Sequence, residues 1–196
     1  MAKRDRVPKP ERTAPPVKVP KIPTPAEDVP RRVTAPSLDD HLEIMTRAIF
    51  QAGLSWAIIA ARWPAFRTAF DGFAIDRVAA YGEADVERLM QTDGILHSRS
   101  KIEGTIKNAQ TLRTLVQAFG SIDAYTARFA DYDALYADTR TRFSYVGDLS
   151  CYYWLFRTGL PVPRFERWMK RHDKDHPRMR EMVLAGRAAG TSTEYD

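Results

Sequence analysis

A glutamine and a tryptophan five residues apart bracket a break in the stretch IFQAGLSW, residues 49–56. An apolar helical run ends there, Gly53 intervenes, and Ser55 and Trp56 open the next run. Such a corner can turn Gln51 and Trp56 toward one pocket, one offering a carboxamide and the other an indole face. Both residues also have a purely structural use, Gln51 as a cap on the broken backbone and Trp56 as core. A second stretch, FSYVGDLSCYYWLF at 143–156, runs from a short apolar hairpin with Gly147 straight into a helix. The unpaired N–H groups of a helix start suit a phosphate. Asp148 sits awkwardly close to such a phosphate, and reads equally as an ordinary N-cap. Downstream, residues 157–180 carry 8 Lys+Arg against 3 Asp+Glu, with Arg164, Arg167, Lys170 and Arg171 interleaved with Phe165 and Trp168. A stripe of this kind can neutralise phosphates, or simply be a solvated helix face. His172 and His176 are spaced i,i+4, but on a polar, charge-rich segment they read as solvated rather than metal-bound.

The elements that position these residues read as helices. Ser37 or Asp39 can cap SLDDHLEIMTRAIFQA, in which Leu38, Leu42, Met45, Ile49 and Ala52 share a face, and Gly53 ends it. Ser55 caps WAIIAAR, and Pro64 fits the first turn of a continuation, AFRTAF. Short helices are predicted over 75–81 and 83–91, a longer one over 99–118, and others over 121–129, 148–156 and 164–172, with Pro177 opening the last. No segment alternates as a strand between hairpin turns. The expected class is all-α.

Charge and composition narrow the function classes. Residues 1–36 hold 9 of the 13 prolines, with 9 Lys+Arg against 4 Asp+Glu. This composition predicts a disordered basic arm, with a helical domain over 37–196. The arm accounts for the whole net charge of +5, so a basic chain alone does not argue that the folded part binds nucleic acid. The arm reads as a solvated tail or as an electrostatic DNA tether. No run is long and apolar enough for a bilayer, and the N-terminus lacks a signal core, so membrane insertion and export are not expected. Its prolines argue against the amphipathic helix of an organelle presequence. Cys151 is the single cysteine, which excludes an intrachain disulfide and suits a cytoplasmic protein.

Several blocks in fixed order now matter together. They are QAGLSW at 51–56, Phe66-Arg67 and Phe70, DVERL at 85–89, DGI at 93–95, the set His97, Arg99, Lys101, Ile102, Ile106, Asn108 and Ala109, and FSYVGDLSCYYWLFRTGL at 143–160. Over roughly residues 42–163 the chain resembles the bacterial 3-methyladenine DNA glycosylase I family, part of the helix–hairpin–helix glycosylase superfamily. The resemblance implies a compact helical domain that flips an alkylated base out of double-stranded DNA and hydrolyses its N-glycosidic bond. A cationic base is a good leaving group, and a pocket that stacks on the cation supplies selectivity. By the same resemblance Trp56, Gln51 and Tyr152 belong to the base pocket, Tyr153 is an added aromatic, and Gly147 lets hairpin amides approach the DNA backbone. Arg164, Arg167, Lys170 and Arg171 would add phosphate contacts.

The departures are as informative. Ala48 stands where the family has a base-reading glutamate. The superfamily aspartate position holds Pro163, leaving Glu166 or Asp148 as the carboxylates for an acid or base role. The family zinc pairs have no counterpart, since the N-terminal pair would fall in the proline-rich tail and the C-terminal positions fall near Arg164 and Trp168. No metal or cofactor is expected, and the protein is expected to act as a monomer. The sequence leaves two main readings: a divergent glycosylase, or a DNA-binding relative that has lost excision. A weaker third makes the domain a protein-interaction module.

Overall fold

The structure, a computed structural model, describes residues 32–34, 36–172 and 175–196. The expected disordered arm falls mostly on residues 1–31 and 35, which lie outside the described residues. Its inner end is docked: the Val33 N–H donates to Arg157 O at 2.8 Å, and Arg32 Nη1 to Thr191 O at 3.1 Å.

Ten helices are described: α1 (Leu38–Gln51), α2 (Trp56–Ala69), α3 (Ile75–Ala79), α4 (Glu83–Gln91), α5 (Arg99–Phe119), α6 (Ile122–Thr126), α7 (Tyr132–Arg142), α8 (Asp148–Thr158), α9 (Phe165–Met169) and α10 (Pro177–Ala188). The mostly helical class read from the sequence holds. Ser37 starts α1 through a reciprocal capping box with Asp40, worth about 1 kcal/mol. Asp39, the other candidate cap, instead accepts the Ile75 N–H at 2.8 Å and so fixes the start of α3. Pro64 lies inside a continuous α2 rather than opening a second helix. Its missing N–H leaves one i→i−4 bond unmade, a cost the burial of Trp63 and Phe66 on the same helix offsets.

Helix α7 has no counterpart in the sequence-predicted elements. Its polar run ADTRTR hides the period, and only Tyr132, Leu135 and Thr139 face inward. The Asp131 carboxylate, which accepts the Ala134 N–H at 2.9 Å, was the legible start signal. The two-residue strands β1 (Val162–Pro163) and β2 (Glu194–Tyr195) pair in parallel and draw the C-terminus against the exit of α8.

Helix α1 packs on both α5 and α8. One face of α5 acts as a ruler between the two motif stretches. At its start, Lys101 Nζ donates to Ile49 O at 2.8 Å and Ala52 O at 3.4 Å, satisfying carbonyls left open at the end of α1. Burial lowers the Lys101 pKa. Two turns on, Asn108 clamps Ser144: its amide donates to Ser144 O at 3.0 Å and its oxygen accepts Ser144 N–H at 2.7 Å. Between them Gly104 underlies Tyr145, and a Cβ there would stand 2.7 Å from the Tyr145 ring. Tyr145 is held at φ +60°. The corner and the hairpin are thus registered on one rigid helix.

Candidate functional site

The corner at 51–56 opens one side of a cavity of about 300 Å³. Gln51 is the last residue of α1, Gly53 turns the chain at φ +81°, and Trp56 is the first residue of α2. Helix α8 supplies Leu149, Ser150 and Tyr153, and the start of α10 supplies His176 and Met179. Ala48, Ala52, Gly53 and Leu54 complete the wall. The Trp56 and Tyr153 rings meet edge to face, 5.5 Å apart at 85°. The Tyr153 hydroxyl accepts from Arg157 Nη1 at 2.9 Å, which fixes the ring.

Gln51 is the unusual member. It is 4% exposed, and neither its amide nitrogen nor its carbonyl oxygen has a hydrogen-bond partner. A buried carboxamide left unpaired costs on the order of 1–3 kcal/mol, so such groups are rare outside functional sites. Its role as a cap on the broken backbone, one of the two readings of the sequence, is not what the structure shows. The α1 carbonyls are met by Lys101 instead.

The remaining sequence-derived candidates separate. Trp56 and Tyr153 line the cavity with Gln51, whereas Tyr152 does not. Tyr152 is fully buried, its ring meets that of Trp168 at 4.3 Å with a 33° tilt, and its hydroxyl donates to Pro163 O at 3.0 Å. Helical geometry explains the split: Leu149, Ser150 and Tyr153 share a face, and Tyr152 points into the core. Glu166 is also away from the cavity. Both its oxygens bind Arg187, at 2.9 and 2.8 Å, and that guanidinium holds its carboxyl down at about 2. A group so held is a poor proton donor near neutral pH.

Asp148 does not line the cavity either, although its neighbours Leu149 and Ser150 do. It is the first residue of α8, with Gly147 as the N-cap, so it is not itself the cap. Its Oδ1 accepts from Trp168 Nε1 at 2.9 Å and from the Tyr132 hydroxyl. Its Oδ2 lies 3.2 Å from His172 Nε2, without the alignment of a hydrogen bond. Among the described residues, none that lines the cavity carries a carboxyl group.

The hairpin and the basic residues lie outside the lining of the cavity. Gly147 is exposed, and a Cβ there would meet no atom of this chain within 4 Å. Its missing side chain is therefore not demanded by the fold. Arg164 is paired with Glu166 and Asp196, and Arg171 with Asp133, while Arg167 and Lys170 are exposed. Among the described residues no group of three or more His, Cys, Asp or Glu side chains is placed to hold a metal. Cys151 is buried, and burial pushes its thiol up to about 12.

His172 and His176 depart from the solvated pair read from the sequence. They share no helix: His172 follows α9 and His176 is the N-cap of α10. Yet their rings meet edge to face at 6.0 Å, and His172 rests 4.5 Å from the Trp168 ring. No local signal could have placed His176 or Met179 in the wall, because α10 reaches the cavity only through tertiary packing.

With this geometry in place, the comparisons with known proteins are informative. The sequence model of the family described as methyladenine glycosylase matches residues 34–142. The chain belongs to the methyladenine glycosylase family. It is 24% identical over 131 residues to the DNA-3-methyladenine glycosylase of Haemophilus influenzae, covering 56% of this chain and 71% of that protein. It is 42% identical over 67 residues to DNA-3-methyladenine glycosylase 1 of Escherichia coli, which covers 34% of this chain and 36% of that protein. Among solved structures, the 3-methyladenine DNA glycosylase I of Staphylococcus aureus superposes with a TM-score of 0.59 at 24% identity, covering 81% of this chain and 92% of that one. A solution structure of a 3-methyladenine DNA glycosylase I superposes with a TM-score of 0.57 at 28% identity, covering 69% and 83%. The family match ends in α7, so the corner of the cavity lies within it and the α8 and α10 walls lie beyond. No described helix is long and apolar enough to cross a membrane.

Proposed function

We propose that this member of the methyladenine glycosylase family binds an alkylated base, 3-methyladenine by default, extruded from double-stranded DNA into the Gln51–Trp56–Tyr153 cavity, and hydrolyses its N-glycosidic bond. The observation that carries the proposal is the Gln51 carboxamide, buried in the cavity wall with its donor and acceptor both unused. A purine edge presents a complementary donor and acceptor, and a glutamine amide pairs with it bidentately. Trp56 offers a π face to the cationic ring.

The chemistry asks little of the cavity wall when the base is cationic. The C1′–N bond breaks with its electron pair going to the base, which leaves as neutral 3-methyladenine. Water adds to C1′ and gives its proton to solvent. The contribution of the site is to hold the base unstacked and oriented. The duplex lies over the hairpin, with backbone amides near Gly147 and the exposed Arg167 and Lys170 facing phosphates. Leu149 and Ser150 line the cavity from the first turn of α8, within about one helical turn of Gly147, which supports this reading.

The absence of a carboxyl group among the described lining residues favours one other reading, a relative that binds DNA without excising a base. Incubation with methylated duplex DNA, with released bases scored by chromatography, separates the two. Release that is lost in Trp56→Ala supports excision. Tight duplex binding without release of any base establishes the second reading in its place.

A further inference from the structure

We propose that the cavity takes alkylated guanine, 7-methylguanine in particular, as well as alkylated adenine, and that the Gln51 amide reads either base by turning over; this rests on the cavity being the base pocket. The two bases present the same pair of groups in exchanged order. Adenine offers an amino donor beside a ring-nitrogen acceptor, and guanine a carbonyl acceptor beside a ring N–H donor. A carboxamide carries one acceptor oxygen and one NH₂ donor, so it pairs with the first in one orientation and with the second in the other. The breadth of such a site depends on whether the fold fixes the amide. Here it does not: the Gln51 side chain is buried at 4% exposure, and neither its nitrogen nor its oxygen has a hydrogen-bond partner. The terminal torsion of glutamine is broad and roughly two-fold, so exchanging the two ends costs little.

The backbone beneath the amide is fixed by contrast. Gln51 is the last residue of α1, and Lys101 Nζ holds the flanking carbonyls, Ile49 O at 2.8 Å and Ala52 O at 3.4 Å. The amide therefore keeps one place in the wall while its donor and acceptor ends exchange. Among the described residues the lining holds no Asp, Glu, Lys or Arg. A carboxylate in the wall would accept from the amino group of adenine and repel the carbonyl oxygen of guanine, and no such group discriminates here. Ser150, another polar lining residue, carries a hydroxyl that donates or accepts by rotation. The small residues Ala48, Ala52 and Gly53 keep the α1 side of the cavity, about 300 Å³ in all, clear of bulk. The additional exocyclic amino group of guanine needs such room.

Both lesions suit the same chemistry. Methylation at N3 of adenine or at N7 of guanine leaves the base in DNA cationic. The Trp56 ring, set edge to face with Tyr153 at 5.5 Å, offers one π surface to either. The step balances as a hydrolysis. The bond from C1′ to N9 breaks and its electron pair passes to the base, which leaves as neutral 7-methylguanine. Water adds to C1′ and gives its proton to solvent.

The test uses the full chain and duplex DNA methylated with dimethyl sulfate, which carries both lesions. Released 3-methyladenine and 7-methylguanine are resolved by chromatography against a control without protein. Wild type is compared with Gln51→Glu and Gln51→Met, and circular dichroism melts identify which variants fold. The expected result is release of both bases by wild type above the control. A glutamate at position 51 accepts from the adenine amino group but has no N–H for the guanine oxygen, so 7-methylguanine release falls about tenfold or more beyond any fall in 3-methyladenine release. Methionine removes both contacts, and release of each base falls. Release of 3-methyladenine by wild type with 7-methylguanine at the control level overturns this proposal and leaves the base-pocket reading standing. An unchanged ratio of the two bases in folded Gln51→Glu, or undiminished 7-methylguanine release in folded Gln51→Met, also overturns it. Failure of wild type to release either base overturns both.

Discussion

Replacing Gln51 by methionine should stabilise the protein while impairing its function, because the two effects arise in different states. In the free protein the carboxamide is buried at 4% exposure with both polar atoms unpaired. Methionine is close in length, unbranched and apolar, so it fills the same space without a desolvated polar group. Removing one such group returns on the order of 2 kcal/mol. For a domain of this size that corresponds to a rise in Tm of about 4–8 °C. In the complex the sign reverses. The lost bidentate contact to the base is worth about 1–3 kcal/mol, or about 5–150-fold in binding or release. Differential scanning calorimetry on the free protein and release of 3-methyladenine from methylated duplex read the two effects separately. A Gln51→Met protein that melts below wild type by several degrees would refute the reasoning, since the amide would then be making stabilising bonds within the fold. A stabilised variant with undiminished release would show that the amide is unpaired but does not touch the base.

Three further outcomes follow from particular residues. Ala48→Glu should place an unpaired carboxyl group in the cavity wall, lowering Tm by several degrees through its desolvation and raising release of cationic 3-methyladenine several-fold; an unchanged release rate would mean that position 48 does not limit the reaction. Gly147→Ala should leave Tm within about 1 °C, since the added methyl meets nothing in the chain, and weaken duplex binding several-fold in a fluorescence titration; unaltered affinity would remove the hairpin from the DNA interface. His41 is buried, accepts the Trp154 Nε1 proton at Nδ1 (2.9 Å), and burial lowers its pKa from 6.5 to about 4. The unfolded chain therefore binds a proton that the fold refuses, so the stability from neutral His41 is complete above pH 6.5 and is lost as pH falls toward 4. The loss reaches about 3 kcal/mol, and melts between pH 7 and 4.5 should show a shallower decline in His41→Gln than in wild type.

How far the chain speaks for itself differs between its elements. Local signals marked many helix ends: the Ser37 cap, Gly53 and Ser55 at the corner, and Pro177 at the start of α10 are visible in sequence because caps and turns are decided by nearest neighbours. The ordered blocks also carried the family, which the match over residues 34–142 bears out. Helix α7 escaped because its inward face is only three residues, and Pro64 misled because tertiary burial outweighed the lost hydrogen bond.

The site is another matter. Sequence alone put Gln51 and Trp56 at one corner, since their separation is set by a single turn. It did not separate Tyr152 from Tyr153, which differ by one residue and therefore by about 100° around α8. Only the packing of α8 against α1 decides which ring enters the cavity and which enters the core. Glu166 and Asp148 were legible as carboxylates, but the arginine, tyrosine and tryptophan that engage them come from distant segments. His176 reaches the wall because α10 folds back over α8, a placement that depends on long-range contacts and leaves no trace in local spacing. The sequence determined the elements, their ends and the family, all properties of short-range geometry or of ordered residue blocks. Tertiary structure alone decided that the cavity is closed by a buried, unpaired amide, two aromatic rings and a histidine, and that no carboxyl group among the described residues lines it.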